Sequence, residues 1–129
     1  DEEMVAAMVT DLLARLPPDF DIEKAGHRYP VKYEESLNQV LVQEMLRYNR
    51  LLATIRTSLL GLDKALAGLQ VMSGELDTVF RSMAVGAVPA LWKGKSFPSL
   101  KPLAGYTADL IARCTMLSDW YEHGPPPVF

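Results

Sequence analysis

One cysteine, two histidines and two tryptophans are the whole supply, in 129 residues, of the side chains that most often carry chemistry. A single cysteine, Cys114, excludes an intrachain disulfide and any metal site built from cysteines. With Ile111, Met116 and Leu117 beside it, Cys114 reads as a small buried hydrophobe in a reducing compartment. His27 and His123 are isolated, without the second ligand at i+4 that a helical zinc site requires. Positive charge is short as well: the net charge is −3, the isoelectric point is near 5.3, and no run of lysine and arginine occurs. A nucleic-acid partner is therefore not expected, because counterion release from phosphates needs a basic stripe. No signal peptide is read, and no apolar run approaches the ~20 residues that a membrane span needs, so no membrane is expected. Strand-like alternation is missing throughout.

What is present is a globular composition, 49% hydrophobic and 22% charged, enough to close one core. The sequence opens on Asp1 and closes on Phe129 after three prolines, and both ends are expected to be cut from something longer. The pattern is all-α, a helical bundle built around one long helix. Met4, Val5, Met8, Leu12, Leu13 and Leu16 keep helical spacing behind Asp1, Glu2 and Glu3, which predicts a helix over about 2–16 ended by Pro17-Pro18. Residues 19–34 read as irregular, with one helical turn begun by Asp21, and Pro30 forbids a continuous helix there. The long helix is expected over about 36–69. Met45, Tyr48, Leu52, Ile55, Leu59, Leu62, Leu66 and Leu69 alternate gaps of three and four residues, a heptad row. At 1.5 Å per residue such a helix spans ~51 Å. A second row, Val42, Leu46, Ala53 and Leu60, widens the apolar face beyond a two-stranded seam. Further helices are expected over about 73–85, capped by Ser73, and 102–123, opened by Pro102 and stopped by Gly124.

One tripeptide invites an enzymatic reading. Gly94-Lys95-Ser96 spells the end of a phosphate-binding P-loop. The position where that loop needs its first glycine holds Pro89, which has no N–H to offer and cannot take a positive φ. Pro98 and Pro102 follow where a P-loop opens a helix. Lys95 is therefore expected on a solvated surface loop. Glu34, Glu35 and Glu44 read as solvated or helix-end charges, and no nucleophile elbow accompanies the serines. No catalytic residue, cofactor site or metal site is assigned. Trp92 and Trp120 read first as anchors of proline-rich loops on a core. Alternatively Trp92, with Phe97 and Leu100, docks on a neighbouring domain, since aromatics dominate interface hot spots. The candidate interface residues are thus Trp92, Phe97 and Leu100, together with Leu52, Ile55, Leu59, Leu62 and Leu66 of the heptad row.

The words of the sequence carry a resemblance. "LPPDFDIE", "ESLNQVLVQEMLRYNRLLATIRTSL", "KALAGLQVMSGELD", "VPALW", "SFPSLKPLAGYTADLIAR" and "WYEHGPPPVF" together resemble the C-terminal region of dynein heavy chains, of the axonemal inner-arm kind. The resemblance runs from about Leu13 to Phe129. It implies a helical part of the C-terminal domain that follows the sixth AAA+ module of a microtubule motor. It further implies a segment lying along one face of the ring, with ATP and Mg in other modules of the parent protein. The implied partners are the AAA+ modules and the remaining C-terminal domain, with the microtubule reached only indirectly, in the cytoskeleton of a cilium or flagellum axoneme. The expected role is a non-catalytic structural and regulatory segment that tunes motor output. The competing readings are a free-standing adaptor binding a partner helix through its heptad row and, more remotely, an enzyme using Lys95. The isolated fragment is expected to self-associate or to rearrange its helices.

Overall fold

A computed structural model describes residues 1–127, and Val128 and Phe129, the last letters of "WYEHGPPPVF", lie outside them. Among the described residues the chain is all-α, with six helices and no strand beyond an isolated bridge between Lys32 and Glu35. In order they are α1 (Glu2–Arg15), α2 (Ile22–Arg28), α3 (Ser36–Leu66), α4 (Gly74–Ala84), α5 (Ala90–Lys93) and α6 (Leu103–His123). None is long and apolar enough to cross a membrane.

Local chemistry explains the ends. Asp1, Asp21 and Ser73 each accept a hydrogen bond from a backbone N–H of the first turn they precede, satisfying donors that a helix leaves orphaned. Asp21 thereby turns the expected single turn into the seven residues of α2. At the other end of α3, Gly68 takes φ +76°. Its N–H reaches the Ala65 carbonyl at 3.1 Å while the N–H of Leu69 reaches the Lys64 carbonyl at 2.8 Å, a Schellman closure. That closure ends α3 at Leu66 rather than at residue 69 and leaves Leu69 77% exposed. Gly86 closes α4 in the same way, with φ +72°. The stretch from Pro89, read from the sequence as loop, contains the short helix α5.

α3 is the hub: α1, α2, α4, α5 and α6 all pack on it, and α1 also meets α4. The heptad row is buried from Met45 to Leu62, and Leu41 and Asn38 extend it toward the N-terminus. The widening of the apolar face falls on the flank opposite to the one expected. At 100° per residue, Leu51 and Ser58 lie on one side of the row and Leu46, Ala53 and Leu60 on the other. The first pair is buried; of the second row only Val42 is half-covered, while Leu46, Ala53 and Leu60 face solvent. Gly61 serves the packing of α4, because a Cβ there would sit 3.2 Å from a methyl of Leu76. The proline-rich connection after α1 is fastened to α3 by side chains. Asn49 pairs with both backbone groups of Phe20, accepting its N–H at 2.7 Å and donating to its carbonyl at 2.9 Å. Arg56 donates to the Pro17 carbonyl and pairs with Asp19.

Candidate functional site

The tripeptide that suggested a phosphate loop is built otherwise. Gly94 is helical, at φ −64° and ψ −20°, and follows a four-residue helix rather than a strand. The three N–H groups that a P-loop would aim at phosphate are spent within the turn: Gly94 on Ala90, Lys95 on Trp92 and Ser96 on Lys93. The Ser96 hydroxyl donates to the Phe97 carbonyl and accepts the Tyr106 hydroxyl at 2.6 Å. Lys95 is exposed, as the sequence suggests. Among the described residues no group of three or more His, Cys, Asp and Glu converges as a metal cage.

The candidate interface residues separate sharply. Leu52, Ile55, Leu59, Leu62, Trp92 and Phe97 lie in the protein's own core. Leu66 is half-buried, and only Leu100 stands fully in solvent. The expectation that these side chains meet a neighbour is therefore corrected for the first six, because α1, α4, α5 and α6 already cover them. A partner helix seated on the heptad row, as an adaptor would need, has no row left to bind. Trp92 follows the loop-anchor reading. Its indole N–H donates to the Ser58 hydroxyl at 2.8 Å, and that hydroxyl donates to the Ile55 carbonyl at 2.8 Å. A polar residue in the middle of an apolar row is the trace of this pair in the sequence, legible once Trp92 is known to reach it.

Phe97 is the middle of an aromatic stack. Its ring lies 5.1 Å from that of Tyr106 and 6.1 Å from that of Tyr48, and the Arg113 guanidinium sits 4.0 Å from its centroid. A hydrogen bond to Tyr48 and the Asp109 carboxylate hold Arg113 charged beyond its ordinary range. Burial raises the pKa of the Tyr106 hydroxyl despite its bond to Ser96, and burial alone pushes the Cys114 thiol up to about 11. Neither neutral group is poised for chemistry at neutral pH.

What remains for a partner is outside. Leu60, Leu69 and Val71 project around the end of α3, Val85 beside the α4 turn, and Val31 and Tyr33 from the turn after α2. Two grooves of about 530 Å³ run between elements. One lies along α3, α4 and Leu91; the other is lined by Met8, Leu12, Val85 and Leu103. The periodicity of α3 could have revealed Leu60, but nothing in the sequence marks Leu69 as outside until the helix is known to end at Leu66.

Likeness to known proteins bears on this surface. The family model for the C-terminal domain of the dynein heavy chain matches residues 1–129. Among curated proteins, the sequence is 53% identical over 128 residues to dynein axonemal heavy chain 3 of Homo sapiens, covering 99% of this chain and 3% of that one. It is 49% identical to dynein axonemal heavy chain 12 of Homo sapiens and 48% identical to dynein axonemal heavy chain 1 of Rattus norvegicus, again over 128 residues. These cover 99% of this chain and 4% and 3% of the relatives, so it spans a small fraction of their length. An all-α hub with a closed core, matched from first residue to last, belongs to the family of C-terminal domains of dynein heavy chains.

Proposed function

We propose that this chain is a non-catalytic segment of an axonemal dynein heavy chain, which packs on the AAA+ ring and tunes the output of the motor. It works in the axoneme of a cilium or flagellum, and its partners are other parts of the same heavy chain, with the microtubule engaged only at a distance. It holds no nucleotide, Mg or other cofactor of its own; those belong to modules elsewhere in the parent. The observation that carries this reading is the outward apolar surface. The core is closed without Leu46, Leu60, Leu69, Val71, Val85 and Leu100, yet all six stay in solvent. Apolar groups that a fold does not need for itself are commonly buried by a neighbour. The second support is the N–H arrangement at Gly94–Ser96, which leaves no phosphate cradle.

A rigid hub on which five helices pack can bias the ring between discrete arrangements, which is coupling without bond-making. Deleting residues 1–129 from the complete heavy chain tests this. The expected result is an altered ATPase rate or gliding velocity with nucleotide binding at the modules intact. Unchanged values of both would remove the proposal.

A further inference from the structure

We infer that the outer face of α3 seats an acidic amphipathic helix from another part of the same heavy chain, an inference that rests on the role proposed above. The heptad row of the core is closed, but α3 carries a second one outside. Leu46, Arg50, Ala53, Thr57, Leu60 and Lys64 follow one another at gaps of four, three, four, three and four residues, and all six are exposed. That period keeps a single stripe in line over about 27 Å, at 1.5 Å per residue. Leucine, alanine and leucine hold one heptad position, and arginine, threonine and lysine hold the other. Beside the stripe runs the groove of about 530 Å³ between α3 and α4, with Ala53, Thr54 and Thr57 on its α3 wall and Leu76 and Leu91 opposite. A heptad stripe along such a groove matches a helix laid lengthwise, read through anchors three and four residues apart.

Charge says which kind of helix. The whole protein carries −3, yet the stripe holds two cations and no carboxylate. Among the described residues Arg47 and Arg56 of α3 are matched to Glu44 and Asp19, whereas no salt bridge forms at Arg50 or Lys64. Lys95, likewise without a salt bridge, shares a small cleft with Arg47 and Tyr48. Of the residues lining the groove only Glu75 is acidic, and it stands on the wall away from the stripe. The fitting helix therefore turns carboxylates toward Arg50 and Lys64, about 21 Å apart along the axis, and apolar side chains into the groove between them. A second copy of this chain fits poorly. Two antiparallel stripes centred on Ala53 and Thr57 would set Arg50 against Leu60 and Lys64 against Leu46, covering both cations without supplying an anion.

A photo-crosslinking residue, p-benzoylphenylalanine, placed at Ala53 or at Thr57 of the complete heavy chain identifies the occupant by mass spectrometry of the joined peptides. The expected product links this site to a segment of the same heavy chain outside residues 1–129, with heptad apolar spacing and an excess of Asp and Glu. Arg50→Glu/Lys64→Glu should lower its yield roughly tenfold, because like charges then meet, while Arg50→Lys/Lys64→Arg should keep it. A product with a basic or non-helical segment, with a second copy or with a separate polypeptide overturns the inference. So does the lack of any product, or a yield indifferent to the charge reversal. The crosslink reads contact rather than output. Deletion of residues 1–129 without effect on ATPase rate or velocity would remove the tuning role and leave this seat in place; altered output with a crosslink to another kind of segment would do the reverse.

Discussion

Replacing Ser58 by alanine should destabilise the fold far more than the loss of one hydroxyl from a helix surface. Ser58 is 5% exposed and Trp92 is fully buried, so neither has water to turn to. The indole N–H donates to the Ser58 hydroxyl at 2.8 Å, and Ser58→Ala leaves that N–H buried without an acceptor. A buried donor stripped of its partner costs about 1–3 kcal/mol, whereas the net worth of a satisfied bond is nearer ~1 kcal/mol. Trp92→Phe removes the donor but lets Ser58 keep its bond to Ile55, so its cost is dominated by lost packing. The double variant has no orphan on either side. It should be less destabilised than the two single losses summed, by roughly 1–2 kcal/mol of coupling. Urea denaturation followed by helical circular dichroism, with equal slopes in all four proteins, measures this directly. Additive losses, or a Ser58→Ala cost below about 0.5 kcal/mol, would mean that Trp92 does not sit on Ser58 in solution. The reading of Trp92 as a free docking residue would then return.

Other outcomes follow from the same structure. Burial holds the Cys114 thiol at about 11 against an ordinary 9.0, so it should resist alkylation at pH 8 until the protein is unfolded. Because the folded value is the higher one, stability is undiminished below pH 9. It falls as the unfolded state ionises first, by about 2–3 kcal/mol on reaching pH 11, and Cys114→Ala should lack that part of the slope in a pH series of urea melts. Gly68→Ala should cost about 1–2 kcal/mol in thermal or urea unfolding, since φ +76° is strained for any side chain. An unchanged midpoint would mean that α3 does not end in the Schellman turn. The isolated 129-residue protein should self-associate through its outer apolar residues, and light scattering should show Leu60→Glu/Leu69→Glu/Val71→Glu shifting it toward monomer; a parent that stays monomeric at high concentration contradicts this.

The course of the helices was legible because caps and breakers are local. Asp21, Ser73, Pro17 and Gly124 act on their own neighbours, and each can be read from a few letters, whereas the Gly68 turn that ends α3 at Leu66 is hidden inside a continuing heptad row. The inward row of α3 was legible for the same reason, since its period is a property of the helix itself. Which side of that row is covered was not. Val42 to Leu60 and Leu51 to Ser58 are both plausible flanks in one dimension, and the choice depends on where α4 and α5 return. Burial of the candidate interface was hidden by the same gap: leucines that can face a ring can equally face α1 and α6. The hydrogen bonds from Arg28 and Tyr29 to carbonyls at the end of α6 join residues more than ninety positions apart and leave no periodic mark at all.

On the proposed reading, the apolar residues divide into an inner set that makes the fold and an outer set offered to the rest of the motor. Gliding velocity of a complete heavy chain with Leu60→Glu, Leu69→Glu and Val71→Glu tests that division, with the melting of the same triple variant in the 129-residue segment as its control. The expected result is altered velocity from a segment whose own fold melts as the parent does. Velocity indistinguishable from the parent, with the segment still folded, would contradict it.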